Sequence, residues 1–375
     1  MAGSGTGRAP ILVLNAGSSS LKLKLFDGER EVAKASVGKI GPEGHAAAMA
    51  EGLAQAGVSV GRLTAAAHRV VHGGAGLTAT CRVTPDILRQ VRDCVPLAPL
   101  HNPANLVGIE AVAALAPGLP QYAAFDTAFH ATNPDVAVTY ALPKAERDRG
   151  LRRYGFHGIS YAALVRVLGS RDPLPKRLLA FHLGNGCSIA AIVEGRSVAT
   201  TMGYSPLDGL TMGTRSGSID GNAVLRLAEL HGVEKAGRIL NRESGLLGLG
   251  GHSDVRELHA AGTPEAQFAL DHFTYWAVRH AGSMVAAMGG IDAVVFTGGI
   301  GENDPLMRKE ILSGLAYLGV SSDEARNARN ETTLHDATSR VVILLVPADE
   351  ERQIALEAQA VMTGEAQAVR SGEGA

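Results

Sequence analysis

A chain of 375 residues with 46% apolar side chains has room for two domains, each with a sizeable core, and is too apolar to be disordered. Its 35 Lys and Arg nearly cancel its 37 Asp and Glu, leaving a formal net charge of -2, and no basic run suits nucleic acid or a membrane surface. Residues 1–10 lack the apolar centre of a signal peptide, and nowhere do about 18 apolar residues run together as a membrane span requires. The three cysteines (Cys81, Cys94, Cys187) lack metal-like spacing and read as reduced thiols, so a cytoplasmic protein without nucleic-acid or membrane partners is expected.

Along the chain, Leu21, Leu23 and Leu25 alternate with Lys22 and Lys24, a period-2 strand with both lysines on one face. Helical patterns follow at 46–56, 85–94 and 102–115. A short strand at 123–125 ends at Asp126, and helices are expected at 143–149 and 160–168. The stretch 178–201 reads as a three-strand meander. Beyond it, apolar residues recur at helical spacing over 219–231, 234–243, 255–260 and 264–288. A buried strand at 293–297 runs into a Gly-rich turn, and Asp304 with Pro305 starts another helix as cap and first-turn proline. A strand at 341–346 and a helix at 350–362 close the pattern, with a frayed tail after Gly364. Strands alternating with helices indicate an α/β protein.

One unit occurs twice. Residues 11–28 and 178–195 each read as an apolar strand, a Gly-containing turn, a second strand and an acidic-Gly turn. At a constant offset of 167 positions Gly17 falls on Gly184 and Gly28 on Gly195. The expectation is two related lobes, with a nucleotide held in a cleft between them by the two turns.

The candidate residues lie at strand ends and in Gly-rich turns. Ser hydroxyls and exposed amides in Asn15-Ala-Gly-Ser-Ser-Ser20 suit phosphate, with Lys22 reaching back over them, although the same turn reads equally as a plain hairpin. It is not a Walker loop, because a strand follows and no helix does. In His68-Arg-Val-Val-His-Gly-Gly74, Arg69 reads as an anion clamp and Val71 as apolar wall, against the plainer reading of a strand-end turn. Three more segments set His or Arg among small residues without apolar periodicity: 99–103, 154–158 and 213–217. Asp126 and the pair Glu350, Glu351 are the candidate carboxylates, and a group directly after a buried strand serves a cation or a hydroxyl as readily as a helix cap. His130 has no partner at metal spacing and is assigned no metal. The segment 296–303 suits close packing on a ribose or a flat ring.

Taken together, Asn15-Ala-Gly-Ser-Ser-Ser-Leu-Lys22, His68-Arg-Val-Val-His-Gly-Gly74, Leu100-His-Asn-Pro103, Phe125-Asp-Thr-Ala-Phe-His130, Gly155-Phe-His-Gly158, His182-Leu-Gly-Asn-Gly186, Met212-Gly-Thr-Arg215 and Gly298-Gly-Ile-Gly-Glu-Asn303 resemble the acetate kinase family, in that family's order, from Ile11 to about Met362. The resemblance implies two duplicated ribonuclease-H-like lobes of the actin/Hsp70/sugar-kinase fold with a cleft between them. The N-terminal lobe would be 1–130 with 353–375 and the C-terminal, nucleotide-binding lobe 131–352. It implies Arg69, Asp126, His157 and Arg215 as catalytic residues, and Val71, Leu100, Phe156 and Pro206, with Arg69, around the acid. Lys22, His101, His182, Asn185, Gly186, Asp254, Arg256, Gly299, Ile300, Gly301 and Asn303 would serve the nucleotide. Asn15 and Glu350 would hold Mg²⁺ or Mn²⁺, with Ser20 near the transferred phosphate. ATP or ADP as co-substrate, acetate or acetyl phosphate as partner, and a homodimer are implied in the same way. In this chain Ala348-Asp349-Glu350-Glu351 replaces the family's usual Thr-Asn/Asp-Glu-Glu, Tyr204 stands where Phe is common, and Gly221 where Pro is common.

A small carboxylic acid with a pKa of about 4 is already an anionic nucleophile at neutral pH, so no general base is needed. The barrier is repulsion between anions, which Arg69, Arg215, His157, Lys22 and a divalent cation are suited to offset in a direct in-line transfer, with Asp126 as positioner. Two other readings stay open from sequence. One is a kinase for propionate or another short acid, and the other is a non-acyl-transferring ATPase of the same fold.

Overall fold

The computed structural model describes residues 10–17, 20–40, 44–171 and 173–371. Ser18 and Ser19 of the expected phosphate-facing turn, and the leader before Pro10, lie outside the described residues. The chain forms two compact units: Met1–Phe129 with Gly158–Ala163 and Asp349–Ala375, and His130–His157 with Leu164–Ala348.

The first unit is built on β1 (Ile11–Ala16), β2 (Ser20–Asp27), β3 (Arg30–Gly38), β4 (Ala65–Val70), β5 (Cys81–Arg82) and β6 (Gln121–Phe125), bonded in the order β3-β2-β1-β4-β6-β5. The first three strands form an antiparallel meander, while β4 lies parallel to β1 and β6 parallel to β4. Alternation sorts the core onto two faces. Leu12, Leu14, Leu21, Leu23 and Leu25 pack with Met49 and Leu53 of the helix His45–Gln55. Ile11, Val13, Phe26 and Tyr122 pack with Ile354, Ala355 and Ala358 of the last helix, Glu350–Ser371. That helix extends into the tail expected to fray, as far as Ser371; residues 372–375 of that tail lie outside the described residues. Its Glu365 accepts a hydrogen bond from the Tyr122 hydroxyl at 2.9 Å, which ties the helix to the sheet at that point.

The second unit repeats the plan. β7 (Arg177–Leu183), β8 (Cys187–Val193), β9 (Arg196–Thr200), β10 (Ala293–Thr297) and β11 (Val342–Leu345) bond in the order β11-β10-β7-β8-β9. Read from the meander outward, β9-β8-β7-β10-β11 retraces β3-β2-β1-β4-β6, with the same antiparallel and parallel pairs. The two units thus share one duplicated α/β plan, as the repeated strand-turn-strand pattern predicts. The hairpin joining β8 to β9 turns on Glu194 (φ 50°) and Gly195 (φ 78°), the two positive-φ positions that a two-residue hairpin of this twist needs.

The copies differ at their first turn. Ala16 pairs with Leu21, leaving four residues between the ladder pairs, whereas Leu183 pairs with Cys187, leaving three. The ungapped match of Gly17 to Gly184 therefore conceals a shift of one residue in strand register.

The long helix Pro264–Met288, expected from its apolar spacing, packs on β8 and is closed at both ends. The Thr263 hydroxyl accepts from the Ala266 amide, and Gly289 closes the helix at φ 69°. The helix expected at 143–149 is the single turn Lys144–Arg147. The segment after β10 is not the open turn expected but a short helix, Gly298–Asn303. Its own Glu302 braces it and ties it to a distant segment: one carboxylate oxygen accepts the amides of Gly298 and Ala348, each at 2.9 Å. Among the described residues no helix is long and apolar enough to cross a membrane.

Candidate active site

In the first unit the chemistry gathers at the carboxyl ends of parallel strands, where an α/β sheet commonly presents ligands. Arg69 is the penultimate residue of β4 and Asp126 directly follows β6; the Asp126 amide donates to Val70 O at 3.0 Å, which sets the two ends level. The Arg69 guanidinium grips Asp126 with Nε and Nη2, turns Nη1 toward Asn15 Oδ1 at 3.4 Å, and has Glu350 Oε2 3.9 Å from Nε. Burial works against the charge on Arg69, but Asp126 and Glu350 outweigh it and raise its proton affinity above the ordinary guanidinium value. Asp126 is 1% exposed, and that burial raises its carboxyl above the usual aspartate range, against the pull of Arg69 and of His101. Lys22 is exposed and is the cross-strand partner of Asn15. Lys24, two residues on, is engaged by Glu31 and Glu351 at 3.2 and 3.3 Å.

Two asparagines that sequence reasoning did not single out hold the loop after β4. Asn105 accepts the Val71 amide at 3.0 Å and donates to Ala16 O at 2.8 Å, joining the ends of β4 and β1. Asn102 brackets His72, accepting its amide and donating to its carbonyl. Both lie in the helix Asn102–Leu115, where polar residues are easily read as helix surface. Val71 is buried, while Leu100 is exposed.

In the second unit His157 adopts the left-handed conformation (φ 58°), which a non-glycine residue takes at a cost of about 1–3 kcal/mol and which concentrates at functional sites. Its ring stacks on His182, centroids 4.0 Å apart, and its Nδ1 lies 2.9 Å from the Ser188 hydroxyl. Ser188 is the cross-strand partner of His182 and is fully buried. A methyl group on Gly186 would come within 3.3 Å of His157 Nε2 and 3.4 Å of Arg215 Nη1, so imidazole and guanidinium both border that glycine. Arg215 Nη1 also donates to Pro206 O at 3.3 Å. Phe156 is buried, and its carbonyl lies 2.9 Å from His130 Nε2. His130 is a structural group: burial pulls it down to about 4, and it bridges Ser197 and Phe156.

A cavity of about 670 Å³ opens in the same unit, with Asn185, Asp254, Arg256, Gly299, Ile300 and Asn303 on its wall. Val255, His259, Asp304 and Leu306, which the sequence reading did not pick out, also line it. Asp254 caps the helix Val255–Ala261 and takes a forked bond from Arg256, whose hydrogen bonds bring the carboxyl down to about 2. Gly301 lies beneath the surface, its carbonyl accepting from Arg308 Nη1 at 2.8 Å. Arg308 is fully buried and spends its other donors on Asn327 and Asn330. Burial lowers its guanidinium to about 10.

No group of three or more His, Cys, Asp or Glu suited to a metal occurs among the described residues. A magnesium site does not require one, since that ion keeps waters and substrate phosphates with one or two carboxylates. Asn15 Oδ1 and Glu350 Oε2, both oxygen donors beside the Arg69 guanidinium, are of the chemistry such an ion takes.

Comparison with known proteins gives a consistent picture. The acetokinase family profile matches residues 46–356. Acetate kinase from Carboxydothermus hydrogenoformans is 40% identical over 390 residues, covering 92% of this chain and 98% of that protein. The crystal structure of Porphyromonas gingivalis acetate kinase superposes with a TM-score of 0.86 at 35% identity, over 94% of this chain and all of that one. A propionate kinase from Francisella tularensis gives a TM-score of 0.88 at 35% identity, over 93% and 98% of the two chains.

Proposed function

The chain belongs to the acetokinase family, and from that premise we propose that it is an acetate kinase, moving a phosphoryl group between ATP and acetate to give ADP and acetyl phosphate. The observation that carries the reading is the match along almost the whole chain to proteins of that name, joined to a strand-end Arg69–Asp126 pair and a His157–Arg215 pair of the kind an acyl phosphate requires.

Acetate arrives as an anion, so the residues have charge to neutralise and no proton to remove. Arg69, aimed by Asp126, faces the carboxylate. Arg215 and His157 meet the charge that develops on the equatorial phosphoryl oxygens, His157 being fixed in direction by Ser188 and by its stack on His182. Asp126 acts as a positioner in a direct in-line displacement and is not itself phosphorylated. Val71, Leu100, Phe156 and Pro206 shape the space for the methyl group. The second unit is the nucleotide-binding one: Asp254, Arg256 and residues 299–303 hold the adenosine, and His182, Asn185 and Gly186 follow the phosphates. Mg²⁺, held by Asn15 and Glu350, would screen the phosphate charge when bound. A cytoplasmic homodimer is the proposed form.

Formation of acetyl hydroxamate from acetate, ATP and hydroxylamine tests the proposal; its absence with every acid and donor offered would overturn it. Propionate is the second reading, favoured by the likeness to a propionate kinase structure. Offering acetate, propionate and butyrate, with pyrophosphate against ATP as donor, ranks these readings in one experiment. A pocket of this kind separates acids differing by one methylene by only about 1–3 kcal/mol, so measurable use of propionate is expected beside acetate.

A further inference from the structure

Between β9 and the helix Gly221–His231 the chain runs through residues 201–220 with no helix or strand. A segment of that length inside a compact unit has to be held by side chains. It is nevertheless well buried: Met202, Leu210 and Met212 have no exposure. It also carries both Pro206 and Arg215, which touch each other through the Arg215 bond to Pro206 O.

The segment is closed by one carboxylate. Asp208 Oδ1 accepts the Ser218 hydroxyl at 2.7 Å and the Gly209 amide at 2.9 Å, tying positions ten residues apart. Asp208 Oδ2 accepts Arg153 Nη1 at 3.0 Å, and the same nitrogen lies 3.0 Å from the carbonyls of Thr201 and Met202, where the segment begins. A backbone bond from Ser218 N to Gly209 O completes the closure at 2.9 Å. The fit is tight around it. A methyl group on Gly203 would lie 2.7 Å from Asp208 Oδ2 and 2.6 Å from the Tyr140 hydroxyl, and Gly209 sits at φ 107°, beyond the reach of ordinary side chains. Arg153, Asp208 and Ser218 thus gather the start, middle and end of the segment at one point.

We infer that Asp208 is a positioning residue for the acid side of the reaction: with Arg153 and Ser218 it fixes the segment that presents Arg215 and Pro206. It touches neither substrate nor nucleotide. The inference rests on the reading of Arg215 and Pro206 as groups that meet the acid and its phosphate. The cavity assigned to the nucleotide is lined from other segments, so the two substrates should respond differently when the closure is loosened.

The test is steady-state kinetics of Asp208→Asn with each substrate varied, alongside Arg215→Ala. Asn keeps an oxygen for Ser218 but loses the charge opposite Arg153. With Arg215→Ala inactive, Asp208→Asn should raise KM for acetate about tenfold and lower kcat about tenfold, while KM for ATP stays within about twofold. Arg153→Met should reproduce this split, and Arg153→Lys, which keeps a cation opposite Asp208, should recover part of it. Should Asp208→Asn fail to fold, Ser218→Ala removes one hydrogen bond only and must show the same acetate-selective change at smaller size. An inactive Arg215→Ala beside Asp208→Asn with unaltered acetate KM and kcat overturns this inference alone, as does an equal rise in both KM values. A fully active Arg215→Ala overturns it together with the assignment of Arg215.

Discussion

Arg69 and Asp126 form a two-armed ion pair, with Nη2 2.6 Å from Oδ2 and Nε 3.1 Å from each carboxylate oxygen. The pairing consumes one edge of the guanidinium, Nε with Nη2, and leaves Nη1, directed past Asn15, as the nitrogen available to an anion. A lysine could not divide itself in this way, because its ammonium lacks the planar fork.

Replacing Arg69 by Ala should lower turnover more than a hundredfold, about 3 kcal/mol of transition-state stabilisation, and Arg215→Ala should do the same. Turnover within tenfold of the parent enzyme in either variant would remove that residue from the site. Asp126→Ala carries a second penalty, since it strands a largely buried guanidinium. Urea unfolding should show a loss of about 3 kcal/mol in addition to lost activity.

Gly186→Ala probes the space bordered by His157 and Arg215. The added methyl meets only side-chain ends, at 3.3 and 3.4 Å, so the fold should tolerate it with Tm changed by no more than about 3 °C. Activity should nonetheless fall by about tenfold or more, because imidazole and guanidinium must yield to make room. Unimpaired kinetics would mean that this space is not used.

Acid should destabilise the protein through its buried imidazoles. His68, bonded to Gln121 at 2.7 Å, and His130 are both drawn down to about 4 by burial. In the unfolded chain each titrates near 6.5, so below that pH the unfolded state takes up protons that the folded state refuses. Their contribution is complete above pH 6.5 and drains away as pH falls toward 4, by up to ~1.4 kcal/mol per pH unit for each. Unfolding free energies of His130→Gln at pH 7, 6 and 5 should fall less steeply than those of the parent; parallel slopes would contradict the buried, neutral assignment.

Arg308 offers a test of the nucleotide wall. Arg308→Met keeps much of the volume but leaves the carbonyls of Gly301 and Asn327 without their donor, which should cost about 3 kcal/mol in stability. Because Gly301 belongs to the helix Gly298–Asn303 at the cavity, KM for ATP should rise while KM for acetate changes little. A rise confined to acetate would place this helix elsewhere in the reaction.

Much of this architecture can be read from the residues alone. The duplicated strand-turn-strand pattern predicts two sheets of one design, and the helices Asn102–Leu115 and Pro264–Met288 follow from the spacing of their apolar residues. The parts that escape are those set by distant partners. Three glycines make 298–303 look like a loop, and what braces it is the Glu302 carboxylate together with the amide of Ala348, 46 residues away. β3 has mostly half-exposed or exposed side chains at the rim of its sheet and shows no run of large apolar residues to announce a strand. Among the functional groups, arginines and histidines at strand ends stand out because nothing local explains them. Ser188, Asn102, Asn105 and Asp208 do not, since each acts through a neighbour that only folding supplies.

The shorter of the two duplicated hairpins has its own chemical outcome. Trimming one residue from the loop at 184–186 makes Ser188 the partner of His182, whereas the longer loop of the other copy sets Asn15 against Lys22. Drawing Cys187 into the loop, which gives the four-residue register of the first copy, would bring Ile189 opposite His182 and withdraw the hydroxyl from His157. The halves of this gene product, however alike in outline, are no longer interchangeable: one loop holds out an ammonium, its sibling steadies an imidazole.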